Sequence, residues 1–266
     1  VGVRLLFLGD VVGRSGRDAI ISNIKKIRNE HQLDAVIVNV DNAAGGFGTN
    51  ASICKDFFAA GVDVLTGGDH VWDQKDIASY LATEKRLLRP QNYPQNTVGH
   101  GHYVLEVAGK KLLVIHLLGQ VFIRDHVECP FACADRLLAT YRLGRGGVDA
   151  IVVDIHAEAT SEKMAMGVHL DGRVSVVVGS HTHVPTADSR ILPGGTAYQT
   201  DAGMCGDYDS VIGFAKEGPM ERFLSKRPKI KMDAAQGAAR ICGLMVETDD
   251  QTGLARACRA FVFPEF

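Results

Sequence analysis

The stretch "RVSVVVGSHTHVPTAD", residues 173–188, decides how this chain is read. Val176, Val177 and Val178 follow one another without polar interruption, as a strand buried on both faces requires. The chain then presents His181 and His183, one residue apart. An apolar strand that ends in two imidazoles raises the question of what stands at the ends of the other strands.

The same arrangement recurs along the chain. "VRLLFLG" (3–9) ends in Gly9-Asp10, "AVIVNV" (35–40) runs into Asp41-Asn42, and "VDVLTGG" (62–68) runs into Asp69-His70. "DAIVVDIHAEAT" (149–160) carries His156. In open α/β sheets, ligands collect in the crevice outside the carboxyl ends of the strands. These residues, far apart in sequence, are therefore expected to converge. Taken singly, an Asp after a strand reads equally well as a helix cap or turn residue, and a lone His as a hydrogen-bonded core or surface residue. The coincidence at five strand ends points to a site. His100 and His102 in "GHGH" lie in a loop with no acidic neighbour and are left out, whereas His116, after "LLVI", is a candidate for lining the site.

Between these strands lie helical patterns. Ile20, Ile24 and Ile27 share one face of a predicted helix, and "ASICKDFFAAG" reads as a helix closed by Gly61. "KDIASYLATE" is a further predicted helix, and "HYVLEVAGKKLLVIHLLG" (102–119) a hairpin turning near Ala108–Gly109. Helices are expected around 131–142, up to Leu170 and near 219–225, and strands near 239–247 and 254–263. With no repeat and no linker, residues 1–266 are expected to form one α/β domain, parallel at the start and more antiparallel later. Two sheets face to face, flanked by helices, suit that mixture.

Composition excludes several classes. Of the 266 residues, 46% are hydrophobic, enough for a sizeable core and against disorder. A formal charge of −2 does not suit a general nucleic-acid or membrane-surface binder, so no stable nucleic-acid complex is expected. The one basic cluster, Lys226, Arg227, Lys229 and Lys231, reads as a solvated loop. No apolar run is long enough to span a membrane, and no cleavage pattern follows the apolar N-terminus. The six cysteines form no CxxC pair, which suits a reducing compartment and a cytoplasmic protein. Cys129, Cys133 and His126 are an incomplete zinc set that lacks a fourth ligand.

Asp and His donors without cysteine suit Mn, Fe or Zn. So many ligand-type residues exceed one tetrahedral zinc and fit a pair of metals bridged by a carboxylate and a hydroxide. The chain has no GxxxxGK[ST] loop, no GxSxG elbow and no HExxH helix. "AAGGFG" (43–48) is glycine-rich, but no Lys follows it to make a phosphate cradle.

The blocks "GDVVG", "VDNAAGG", "GGDHVWD", "DIHAEATSEK" and "GSHTHVPTAD" resemble the signature of the calcineurin-like metallophosphoesterases. "NAAGGFG", "LLRPQNYP", "HAEATSEKMAMG", "ILPGGTAY" and "YDSVIG" are similar, more narrowly, to the bacterial YmdB-like metallophosphoesterase family, and the likeness runs from about residue 3 to 262. The resemblance implies a four-layer α/β/β/α sandwich. It also implies a phosphodiesterase with two divalent ions (iron or manganese first, zinc or magnesium as alternatives) that acts on 2′,3′-cyclic nucleotides through a metal-bridging hydroxide. Carried over block by block, Asp10 and His183 would hold one metal. Asp41 would bridge, and Asp69, His156 and His181 would hold the other. Asn42 would bind metal or phosphate, and His70 would donate the proton to the leaving group. The partner implied is a small phosphodiester; a homo-oligomer is compatible.

Two positions depart from the family pattern. Asp41 stands where Glu is usual, and Asp69 where Asn is usual. In the usual set, one Asp, one Glu and a hydroxide leave a net positive charge on two divalent metals. Here three aspartates and a hydroxide leave none. The expected result is tighter metal binding and a weaker pull on the phosphate oxygens. A weakly active or inactive metal-bound nucleotide-binding protein and a phosphomonoesterase are the alternatives.

Overall fold

The computed structural model describes residues 2–265. Its two sheets are explained by how their buried strands divide their side chains. In the strand Arg4–Leu8, Leu6 and Leu8 face Ile20, Ile24 and Ile27 of the helix Gly13–Glu30. Leu5 and Phe7 face the other way and meet Val114, Val152, Val176 and Val178 of the second sheet. The strand Ala150–His156 repeats the pattern: Val152 joins the core between the sheets, while Ile151 and Val153 pack on Met166 and Leu170 of the helix Thr160–Leu170. Three apolar cores therefore separate four layers, α/β/β/α. A continuous hydrophobic strand is what such a position demands, because both of its faces are covered.

The eight-stranded sheet runs in the order Asp10–Val11, Met204–Asp207, Ala239–Thr248, Arg4–Leu8, Ala35–Asn39, Val64–Thr66, Leu87–Leu88; Ala255–Phe263 also pairs with Ala239–Thr248. The six-stranded sheet runs Arg190–Ile191, Ala197–Gln199, Val176–Ser180, Ala150–His156, Lys110–Leu118, His102–Val107. Parallel pairing of Arg4–Leu8 with Ala35–Asn39, and of the latter with Val64–Thr66, delivers Asp10, Asp41 and Asp69 to one edge. In the other sheet His156 pairs in register with Ser180, so the "GSHTH" turn leaves beside it. Asn39 and Thr66 of the first sheet each donate a hydrogen bond to Asp154 of the second, at 3.2 and 2.7 Å. These bonds place the carboxyl ends of both sheets together.

The hairpin turns at Ala108 and Gly109, both with positive φ. Gly61, at φ 108°, closes the helix Ala51–Ala60. Elsewhere the structure corrects the reading. The helix expected in "KDIASYLATE" is only Ile77–Leu81, since only Ile77 and Leu81 find buried positions beneath it. Four residues from Asp69 to Trp72 form a single tight helical turn. Cys129 is exposed while Cys133 is buried against the second sheet, so the two thiols occupy different environments. No helix among the described residues is long and apolar enough to cross a membrane.

Candidate metal centre

Asp41, Asp69, His156 and His181 each offer a ligand atom, and these atoms all lie within 4.8 Å of one another. His156 Nε2 is 3.0 Å from Asp69 Oδ1, 3.5 Å from Asp41 Oδ2 and 3.1 Å from His181 Nδ1. Beside this group, His183 Nε2 is 3.0 Å from Asn42 Oδ1 and 3.9 Å from Asp10 Oδ1. Asp10 in turn lies 3.7 Å from His156 Nδ1 and accepts the His181 N–H at 3.0 Å. The seven residues thus make one contiguous cluster drawn from both sheets. His70 stands at its rim: its N–H donates to Asp41 Oδ1 at 2.8 Å, and its Nδ1 is 2.8 Å from Asp73 Oδ2.

Close approach at this edge depends on Gly68. Its φ is 61°, and a Cβ there would sit 2.1 Å from Asp41 Oδ1. Any side chain would displace that carboxylate.

The hydrogen bonds around the histidines fix which nitrogen faces the centre. Ser180 Oγ donates to Asp154 Oδ1 at 2.6 Å, because a buried carboxylate only accepts. With its proton committed, Ser180 Oγ must accept from His156 Nδ1 at 2.9 Å. His156 Nε2 is then the nitrogen that faces Asp41, Asp69 and His181; it donates to Asp69 in the metal-free protein and offers its lone pair once that proton leaves. His183 Nδ1 donates to the Ile212 carbonyl at 2.7 Å, which leaves its Nε2 lone pair toward Asn42 and Asp10. His181 Nε2 meets Glu158 at 3.1 Å, leaving Nδ1 to face inward. A partner on the outer nitrogen that presents the inner one is how metal-binding histidines are held.

Electrostatics lead to the same conclusion. Asp10 and Asp41 are buried, and among the described residues no Lys or Arg side chain pairs with Asp10, Asp41 or Asp69. Burial opposes charge on His156, but the Asp41, Asp69 and Asp10 carboxylates override it and raise its pKa well above the ordinary value. Burial likewise pushes Asp69 up, yet hydrogen bonds from His156 and His181 hold it well below the usual carboxylate range. Burial lowers the His70 pKa, and Asp41, Asp69 and Asp73 together more than reverse that. Buried carboxylates facing imidazole nitrogens whose protons a cation can displace, with no Lys or Arg among them, form a donor set that fits divalent metals.

The "HTH" turn is strained: His181 has φ 96° and His183 φ 66°. Left-handed backbone at such residues costs about 1–3 kcal/mol each and needs a rigid surround. Asp201 supplies it. Its Oδ2 accepts the Thr182 N–H at 3.1 Å, the Thr182 hydroxyl at 2.6 Å and the fully buried Lys163 ammonium at 2.8 Å.

Over the centre opens a cleft of about 310 Å³, lined by Asp41, His70, Glu158 and His181 with Phe47 and Phe214. Of the other candidates, His116 lies beneath the site, where it accepts the Gly68 N–H at 2.9 Å and lies 3.1 Å from Asp154. His102 is away from it, bonded to Gln91. Sequence reasoning missed Glu158, Asp154, Ser180, Lys163 and Asp201. None carried a periodic signal; Asp154 and Glu158 stand two residues either side of His156.

An α/β/β/α sandwich with Asp and His gathered where the strands of both sheets end is the architecture of the metallophosphoesterases. Within that class the chain belongs to the YmdB-like protein family, which it matches over residues 6–261. It is 42% identical to a 2′,3′-cyclic-nucleotide 2′-phosphodiesterase of Bacillus subtilis, over 94% of this chain and 93% of that protein. A crystal structure of a hypothetical protein from Thermus thermophilus superposes with a TM-score of 0.90 at 42% identity, covering 98% of this chain and 99% of that one. A crystal structure of a novel phosphatase from Mycoplasma pneumoniae superposes at 0.91 with 34% identity, covering 99% and 94%.

Proposed function

We propose that this protein is a cytoplasmic phosphodiesterase that opens the 2′-oxygen ester of 2′,3′-cyclic nucleotides with the help of two divalent metal ions, iron or manganese before zinc or magnesium. The observation that carries this reading is the cluster of carboxylates and inward-facing imidazole nitrogens beneath an open cleft. The B. subtilis relative's activity supports the substrate class. Asp10 and His183 would hold one ion, Asp69, His156 and His181 the other, and Asp41 would serve both. When bound, the ions supply Lewis acidity, which neutralises phosphoryl oxygens and makes water acidic enough to act as a nucleophile.

The chain's own residues do the rest. Asn42 is pinned by donating its side-chain N–H to the Gly46 carbonyl at 2.9 Å, so its Oδ1 faces the centre, where it would serve a metal ion; an amide oxygen cannot donate to the phosphate. Phe47 and Phe214, with ring centroids 5.4 Å apart, wall the cleft and restrict water. His70, its Nδ1 occupied by Asp73, keeps Nε2 for the substrate. Its Nε2–H gives a proton to the ribose 2′-oxygen as the bond from phosphorus to that oxygen breaks, and the phosphate stays on the 3′-oxygen.

Asp69 is the specific feature that favours a second reading, a metal-bound protein that holds nucleotides with little turnover. One experiment tests both: elemental analysis of the purified protein together with 2′,3′-cyclic AMP turnover on the same sample. About two metals per chain with turnover abolished by chelation is the expected result. Two metals without turnover would favour the second reading, and no tightly held metal would overturn the first.

A further inference from the structure

Residues 216–231, "KEGPMERFLSKRPKIK", leave the wall of the cleft and return to it. The feet of this strap are fixed: the Ala215 N–H donates to the Asp233 carbonyl at 2.9 Å, the Ala235 N–H to the Gly213 carbonyl at 2.8 Å, and Phe214 bridges Ala234. Ile212 and Phe214, which line the cleft, are the residues on which it stands.

In a chain of net charge −2, the strap holds six basic residues against two acidic ones. Its charge is largely uncommitted. Lys216 is taken by Asp209, and Lys231 lies 3.7 Å from Asp233. Lys226, Arg227 and Lys229 are exposed, and among the described residues their side chains make no ion pair. Of the two acids, Glu221 is occupied by the backbone N–H groups of Lys229 and Ile230 at 2.7 and 2.6 Å, which folds the basic tract back along the helix Glu217–Leu224. At the end of that helix Phe223 and Leu224 are 83% and 80% exposed, which no packing in the monomer explains.

Cations beside exposed apolar and aromatic side chains, rooted at the mouth of a phosphodiester site, match the chemistry of a single-stranded polyribonucleotide: charges for the phosphates and flat surface for bases. We infer that the strap binds the nucleotides upstream of the reacting end. The protein's substrates then include oligoribonucleotides that terminate in a 2′,3′-cyclic phosphate, with Lys226, Arg227 and Lys229 on the backbone and Phe223 against a base. This rests on the phosphodiesterase reading for the reacting end only. Such engagement of a substrate end during turnover is compatible with the expectation, from the net charge, of no standing nucleic-acid complex.

The test compares the parent with K226Q/R227Q/K229Q and with F223S/L224S. Binding of a fluorescent ten-nucleotide RNA ending in 3′-phosphate is followed by anisotropy, and kcat/KM is measured for 2′,3′-cyclic AMP and for the same RNA ending in cyclic phosphate. Single-strand binding weakens by about 0.7 log units per phosphate contact for each log unit of salt. Three contacts therefore predict about a 20-fold loss for the parent over a fourfold rise in salt. The charge variant should lose most of that slope and the preference for RNA, yet keep turnover of the mononucleotide. F223S/L224S should weaken RNA binding at unchanged slope. Equal RNA binding and equal salt slope in parent and charge variant would overturn the inference. So would an F223S/L224S variant that changes only the molecular mass in solution, since the apolar pair would then belong to an interface with a second copy. Because anisotropy needs no turnover, a failure of the phosphodiesterase reading appears separately, as no reaction with either cyclic substrate.

Discussion

At the scale of the residue, Asp69 and His70 are adjacent in sequence and carry different tasks. Asp69 accepts from two imidazoles and stays ionised, adding a negative charge to a centre that already has Asp10 and Asp41. Asp69→Asn should turn over faster and hold its metals less tightly. Turnover and metal content measured on one preparation check this; an equally metallated variant that is no faster would count against the charge argument. His70→Ala should lose about 10²–10⁴-fold in kcat on substrates with poor leaving groups and far less on p-nitrophenyl esters, which need no proton. Equal loss on both would refute proton donation. Asp69 and His70 were visible in the sequence because they stand just past the end of an apolar strand, after Gly67-Gly68. Glu158 was not singled out: a single acid after His156 has no periodic signature, and its role appears only when His181 is brought to it from 23 positions further on.

At the scale of the element, the strands buried on both faces were legible because a covered strand must be continuously apolar. Two-residue strands such as Asp10–Val11 and Leu87–Leu88 were not, since two residues cannot display a period. The helix Thr160–Leu170 was seen, but the meaning of its buried Lys163 was hidden because the partner Asp201 is 38 residues away. That pair braces the turn in which His181 and His183 hold left-handed backbone. Removing one partner of a buried pair leaves the other charge stranded and costs about 3–5 kcal/mol. Lys163→Met should therefore lower stability to chemical denaturant by that order. It should also weaken metal retention, because Thr182 loses its fixed anchor. Metal titration of the folded variant separates the two effects; unaltered metal affinity would mean that Lys163 stabilises the fold without positioning the histidines.

At the scale of the whole molecule, the two sheets are held together at the cluster edge by contacts among buried polar groups, so metal, proton and fold stability are linked. In the metal-free protein a proton on His156 partly neutralises Asp10, Asp41 and Asp69, which is why its pKa is raised. A group whose folded pKa is raised contributes stability that is fully present below its unfolded value, about 6.5 for His, and lost as pH climbs through the folded value. Metal ions replace that proton, so their binding competes with it and strengthens over the same interval. The two effects add. As pH rises from about 6.5, the chelated protein should lose Tm relative to the metal-loaded protein. The gap between them should widen until His156 has lost its proton. Thermal unfolding with manganese and with chelator, stepped across this range at fixed ionic strength, measures the gap. Each metal equivalent added in weak buffer should also release protons near the low end of the interval and fewer near the top. A gap that stays constant or narrows with rising pH would mean that His156 carries no proton for the metal to displace, and that the carboxylates are balanced by something other than the imidazoles they face.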